Sequence, residues 1–260
     1  MSSSSKLLPS IVLGMCLFIP SYAESVDSET YSSALERQAE LGNAQAQYAV
    51  GCCYLEGRGV SVDSKKALSW IRQAAEHGYA PAQRDMGTAY LTGEGVPPSP
   101  ELAVKWFQKA SDQGDAFATY NLGTCYLLGS GVPIDKTKAL SLIQKAADQG
   151  DSLAQFFIGE SYLKGIDLPQ DVNKGIDWLE KSASQNDNCA QELLATCYLD
   201  GTGVPKDVNK AKQLLKQAAD QGNETAEELL SVLTASKDSL TGTLLEILKA
   251  PSPGNGNPKQ

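Results

Sequence analysis

Histidine occurs once in this 260-residue chain, tryptophan three times and phenylalanine five times. A single His, with no Cys-x-x-Cys spacing, is too few nitrogen and sulfur donors for a zinc site, and no cofactor or metal is expected. Basic residues are also scarce, 22 Lys and Arg against 31 Asp and Glu, for a net charge of −9. No basic stripe appears, so a phosphate backbone would be repelled and nucleic-acid binding is excluded. The acidic balance favours solubility and can steer a basic partner. Large aromatics are few and alanine is abundant, which suits closely packed helices better than a sheet-built core. Beyond the first 23 residues no segment approaches the roughly 18 unbroken apolar residues that a membrane span needs, so no integral membrane protein is expected.

The one long apolar stretch, Ile11 to Ile19, follows the positive Lys6 and is broken by Pro20. Ser21-Tyr22-Ala23 then puts small residues at the −3 and −1 positions of a cut before Glu24. Residues 1–23 therefore read as a signal peptide cleaved after Ala23, which implies a secreted or periplasmic protein. Lipidation of Cys16 is disfavoured, because the bulky Met15 stands where a small residue is wanted.

Self-comparison organises the rest. Gly57-Arg58-Gly59-Val60 recurs at Gly93-Glu94-Gly95-Val96, Gly129-Ser130-Gly131-Val132 and Gly201-Thr202-Gly203-Val204, with a degenerate copy at Gly165-Ile166-Asp167-Leu168. Every step is 36 residues. Tyr54, Tyr90, Tyr126, Tyr162 and Tyr198 keep the same step, as do Gly51, Gly87, Gly123 and Gly159, with Ala195 fifth. Each unit encodes two helices. The first, such as 44–56, carries Ala46, Val50, Cys53 and Tyr54 at the spacing of one helical face. Its Gly-x-Gly-Val turn ends it, since glycine tolerates the left-handed conformation past a helix C-terminus. Asp63, Ser99, Asp135, Asp171 and Asp207 then stand at N-cap positions of the second helices. The column Gly42, Gly78, Gly114, Gly150 and Gly222 closes the units, with Asn186 substituting once.

The predicted architecture is all-α, a solenoid of antiparallel helix pairs. A capping helix occupies 24–42, and five repeats fill 43–78, 79–114, 115–150, 151–186 and 187–222. A half repeat with a C-terminal capping helix follows at 223–249. Residues 250–260, without apolar content, read as a disordered tail.

The unit, best displayed in Asn121-Leu122-Gly123-Thr124-Cys125-Tyr126-Leu127-Leu128-Gly129-Ser130-Gly131-Val132-Pro133-Ile134-Asp135, resembles the Sel-one-like repeat, a longer-turn relative of the tetratricopeptide repeat. The resemblance runs from about Ser33 to Leu233. The fourth unit departs from it at Ile166, Asp167, Gly175 and Asn186, which makes its turn the weakest match. The resemblance implies a right-handed superhelix that acts as a non-enzymatic adaptor or scaffold, with secreted bacterial members often serving in host interaction or the envelope. It leaves the partner, a protein or peptide, unidentified.

Beside the core face, positions 45, 48, 52 and 56 of the first helix form a second stripe at 3-4 spacing. By resemblance to tetratricopeptide proteins this stripe lines a concave groove. Along the repeats it presents Tyr48, Arg84, Tyr120, Phe156 and Glu192, with Phe117, Leu128, Leu153 and Glu160 nearby. Aromatic residues in an otherwise polar groove are favoured anchors for a peptide or helix. Phe117 and Leu153, near the helix entrance, are equally readable as packing on the neighbouring unit.

The mature chain carries Cys52, Cys53, Cys125, Cys189 and Cys197. Cys53, Cys125 and Cys197 share one repeat position two units apart, beyond the ~7 Å limit for a disulfide, and read as small core residues. Cys52 and Cys189 read as exposed thiols. His77 shares its column with Gln113, Gln149, Gln185 and Gln221 and reads as a helix-end residue. The enzymatic alternative rests on Ser161-Tyr162-Leu163-Lys164, a Ser-x-x-Lys pattern of penicillin-binding proteins and β-lactamases, an activity described for cysteine-rich relatives of the repeat family. Ser161 falls in the small core column, however, and the companion Ser-Asp-Asn and Lys-Thr-Gly motifs are absent.

Overall fold

A computed structural model describes residues 30–235. The expected signal peptide, the C-terminal capping helix and the tail lie outside the described residues. Among the described residues there are twelve α-helices and no strand. They fall into two compact units, residues 30–151 and 152–235. The first unit holds α1 (Ser33–Glu40), α2 (Ala44–Glu56), α3 (Ser64–Glu76), α4 (Ala80–Thr92), α5 (Pro100–Asp112), α6 (Ala116–Leu128) and α7 (Lys136–Asp148). The second holds α8 (Ser152–Lys164), α9 (Val172–Ser184), α10 (Asn188–Asp200), α11 (Val208–Ala219) and α12 (Glu224–Ala235). Within each unit successive helices pack as antiparallel pairs, the all-helical repeat fold that the 36-residue period predicts.

The helix boundaries follow from local chemistry. Asp63 Oδ1 accepts from Lys66 N at 3.0 Å, and Asp135, Asp171 and Asp207 repeat this cap 2.9, 3.1 and 2.9 Å from Lys138, Lys174 and Lys210. Each satisfies a backbone N–H that the first helical turn leaves without a partner. Glycines 57, 93, 129 and 201 end the first helices in the left-handed region.

The degenerate fourth turn keeps the backbone of the others. The second turn glycine has φ of 78°, 70°, 72° and 72° at residues 59, 95, 131 and 203, and Asp167 takes the same place at 62°. Asn186, replacing a closing glycine, sits at 65°. Short polar side chains tolerate this region better than other non-glycine residues, so the departures at these two positions alter the sequence but not the path.

Within a pair, closeness depends on a missing side chain. A Cβ on Gly87 would lie 2.6 Å from the Phe107 ring, and one on Gly159 would lie 2.9 Å from Leu179. The partners Phe107, Ile143, Leu179 and Leu215 are fully buried. Alanine columns fill the remaining space, with Ala82, Ala118, Ala154, Ala190 and Ala226 each 0% exposed.

A buried glutamine column ties successive helix pairs together. Gln47 Nε2 donates to Ala39 O at 3.0 Å, while its Oε1 lies 2.7 Å from His77 Nδ1, which therefore carries the proton. Gln83 donates to Ala75 O at 3.1 Å and accepts from Gln113 Nε2 at 2.7 Å. In the second unit Gln191 bonds to Ala183 O and Gln221 in the same manner. Thr119 replaces the glutamine once, and Ser111 compensates at 2.8 Å. His77 is thus a structural substitute for the glutamine of its column, consistent with its reading as a helix-end residue.

Candidate functional site

Cys53, Cys125 and Cys197 are buried as their column predicts. Cys52, expected to be exposed, is instead buried at 7%. It lies on α2 one residue before the core Cys53, and the inner stripe borders the core more closely than spacing reveals. Cys189 is half-buried. Burial pushes the thiols of Cys52, Cys189 and Cys197 up to about 12 and that of Cys125 up to about 11. All four are therefore protonated and unreactive at neutral pH.

In the first unit the predicted stripe becomes a charged network. Tyr48 on α2 donates its hydroxyl to Asp85 Oδ2 at 2.8 Å. Arg84 on α4 donates Nε to Asp85 Oδ1 at 3.1 Å and Nη1 to Asp115 Oδ2 at 3.5 Å. Asp115 is also the N-cap of α6, accepting from Ala118 N at 2.7 Å. The Phe117 ring lies 5.9 Å from the guanidinium, and the Tyr79 ring lies 5.2 Å from that of Tyr48. One cation thus faces two carboxylates in a partly buried setting. Burial alone would lower the Arg84 pKa, but Asp85 and Asp115 outweigh it and hold the guanidinium above its ordinary value. Burial raises the Tyr48 phenol, and the Asp85 charge raises it further.

Three of the nine predicted stripe residues are more deeply placed than exposed anchors would be. Tyr48, Arg84 and Tyr120 are 8%, 7% and 4% exposed. Phe117 and Leu128 are half-buried on α6. Asp85 joins Tyr48 to Arg84, and the Arg84 guanidinium in turn reaches Asp115 and the Phe117 ring. The sequence reading missed both aspartates. Asp85 is one position off the stripe, and Asp115 was legible only as a helix cap.

In the second unit Leu153, Phe156 and Glu160 on α8 and Glu192 on α10 are all half-buried. Phe156 packs against the core of that unit. Glu160 holds Lys164 Nζ at 2.6 Å. Glu192 Oε2 accepts from Asn223 Nδ2 at 3.4 Å. Burial, with Glu160 nearby, raises the Glu192 carboxyl above its usual range against the pull of Asn223 and Lys164. Asp187, the N-cap of α10, is raised by burial as well. Asp187, Glu192 and Glu160 all act on Cys189, so this face is acidic.

The Ser-x-x-Lys pattern lies on α8. Ser161 is 4% exposed, in the core column, and the Lys164 ammonium is engaged by Glu160. Among the described residues, no cluster of three or more His, Cys, Asp or Glu could hold a metal, and no helix is long and apolar enough to cross a membrane.

The Sel1 repeat family model matches residues 44–79, 80–115, 116–151, 152–187 and 190–223. Among solved structures, a Sel1 repeat protein from Oxalobacter formigenes is 35% identical, with a TM-score of 0.69, over 76% of this chain and 57% of its own. A protective antigen of uropathogenic Escherichia coli with an SLR fold is 30% identical, with a TM-score of 0.57, over 85% of this chain and 55% of its own. The chain therefore spans little more than half the length of either. A Sel1 repeat protein from Klebsiella pneumoniae, 22% identical with a TM-score of 0.50, covers 78% of this chain and 98% of its own and shares the fold. No curated protein matched the chain.

Proposed function

The chain belongs to the Sel1 repeat family, and from that premise we propose that it is a non-enzymatic scaffold whose first-helix stripe binds a peptide or protein. Sel1 repeat proteins generally mediate protein–protein interaction. The observation that carries the finer reading is the pairing, in each unit separately, of a half-buried aromatic ring with carboxylates: Phe117 beside Arg84, Asp85 and Asp115, and Phe156 on the helix of Glu160. Half-buried rings provide anchor area, and carboxylates in excess over cations favour a partner with basic side chains. The protein acts in the periplasm or outside the cell, a placement supported by the 1–23 pattern alone. In the first unit Tyr48, Arg84 and Tyr120 then form the floor beneath the Phe117 contact; in the second, Phe156, Glu160 and Glu192 are the contact residues.

Pull-down from envelope and host extracts tests this. Phe117→Ala and Phe156→Ala, made separately, keep their helicity by circular dichroism, and at least one of them loses a protein captured by the natural chain. Equal capture by both variants refutes the stripe as the contact surface. The hydrolase reading is disfavoured by the burial of Ser161. Turnover of a chromogenic β-lactam that disappears in Ser161→Ala would restore it.

A further inference from the structure

A second repeating pattern lies outside the stripe. In four of the five repeats the tyrosine of the first helix, half-buried at 54, 126 and 162 and buried at 198, is covered by a lysine twelve residues later. Lys66 lies 5.2 Å from the Tyr54 ring, Lys138 4.1 Å from Tyr126, Lys174 5.5 Å from Tyr162 and Lys210 4.3 Å from Tyr198. The second repeat breaks the pattern. Tyr90 is half-buried, and the lysine position holds Leu102, a large apolar side chain 37% exposed.

An open surface cleft of about 420 Å³ lies along α5, lined by Leu102, Val104, Lys105, Trp106, Gln108 and Lys109. All six lining residues belong to α5, so the cleft is an open face of one helix that offers apolar contact to a side chain laid across it. Trp106 is half-buried, and the Lys109 ammonium stands 4.3 Å from its ring. Neither Lys105 nor Lys109 forms an ion pair among the described residues. In a chain of net charge −9, these two lysines give the apolar cleft a positive edge.

We propose that the Leu102–Trp106 cleft is a second docking site, taking a partner peptide in which a bulky apolar side chain neighbours a carboxylate. The apolar side chain covers Leu102 and the Trp106 edge. The carboxylate meets Lys105 and Lys109. Charge complementarity selects this occupant over a basic peptide, which the lysines would repel. The site is on the second helix of its repeat and does not depend on the first-helix stripe.

The test selects displayed random dodecapeptides on the full chain and measures the winners against two variants. Leu102→Lys restores the residue found at this position in the other four repeats, so its melting should match the natural chain. Lys105→Glu/Lys109→Glu reverses the rim charge at exposed positions and serves if Leu102→Lys folds poorly. The expected winners place Phe, Trp, Leu or Ile within two residues of Asp or Glu, and each variant weakens them by roughly tenfold or more, as loss of a central anchor does. Binding is unchanged by Phe156→Ala. The proposal is overturned if no peptide rises above background, if the winners are basic, or if they bind both folded variants as well as the natural chain.

Discussion

Replacing Arg84 by leucine removes the cation that, among the described residues, pairs with Asp85 and Asp115, and leaves a shorter apolar side chain in its place. Its guanidinium makes two charge-assisted contacts, at 3.1 and 3.5 Å, and its side chain is 8% exposed. A unit charge pair about 4 Å apart is worth ~4 kcal/mol at the effective dielectric of partly buried sites. Losing one partner of a fully buried pair costs about 3–5 kcal/mol. Asp85, a quarter exposed, and Asp115, 11% exposed, recover some hydration once uncompensated. The expected loss for Arg84→Leu at pH 7 is therefore about 2–3 kcal/mol, at the low end of the buried-pair range. Acid should relieve it. Burial raises the Asp85 carboxyl even with Arg84 beside it, and losing Arg84, which pulls it down, raises it further, so the folded variant takes up a proton before the unfolded chain does. The destabilisation is thus largest at neutral pH and shrinks as pH falls through the raised folded value. Adding Asp85→Asn should recover part of the loss at pH 7. Urea unfolding followed by far-UV circular dichroism at pH 7 and pH 4 reads all three quantities. A loss below about 0.5 kcal/mol, the scale of an exposed ion pair, or one equal at both pH values, would refute the account of the network as a buried charge arrangement.

Three further outcomes follow from the same packing. Gly87→Val should destabilise the first unit by at least 2–3 kcal/mol, of the order of overpacking costs, because its Cβ would lie 2.6 Å from the Phe107 ring; a thermal melt unaffected by the change would contradict the helix spacing. Glu192→Gln should raise stability at neutral pH. The folded carboxyl is raised by burial, so its ionisation opposes folding above the ordinary carboxylate range and has no effect below it. Denaturation at pH 7 and pH 3.5 checks the sign, and a variant less stable at pH 7 would show that the charge is favourably held. Iodoacetamide at pH 8 should modify the five described cysteines slowly in the folded protein and promptly in urea, with Cys52 and Cys53 slow despite their neighbouring positions; rapid native labelling of Cys52, read by mass spectrometry, would deny its burial.

The stripe shows where a linear reading reaches its limit. The 36-residue period puts Tyr48, Arg84 and Tyr120 at one position of successive first helices, and 3-4 spacing sets that position on a stripe with 45, 52 and 56. Spacing carries no depth, however. The same face borders the core, and Tyr120 at 4% exposed belongs to the packed interior as much as to any groove. The exposure that a partner needs remains on Phe117, Phe156, Glu160 and Glu192. Likewise, the glutamine column ending in Gln113, Gln185 and Gln221 was visible as a repeated residue. Its hydrogen bonds to Gln83, Gln155 and Gln191 were not, because the partners lie 30 residues apart and meet only across stacked helices.

The sequence by itself determined the period, the two helices per unit, their caps and their turns. These depend on φ/ψ preference and on hydrogen bonds spanning three or four residues, which a local pattern encodes in full. Even Asp167 and Asn186 obey it, since both tolerate the left-handed backbone that their glycine counterparts adopt. Tertiary structure alone decided which polar groups became partners: Arg84 with Asp85 and Asp115, Glu192 with Asn223, and His77 with Gln47. It also decided what lay open, leaving Leu102 uncovered beside Trp106. The reason is physical. Burial and charge pairing depend on which side chains the packed helices bring within a few ångströms, and only the folded repeats set those distances.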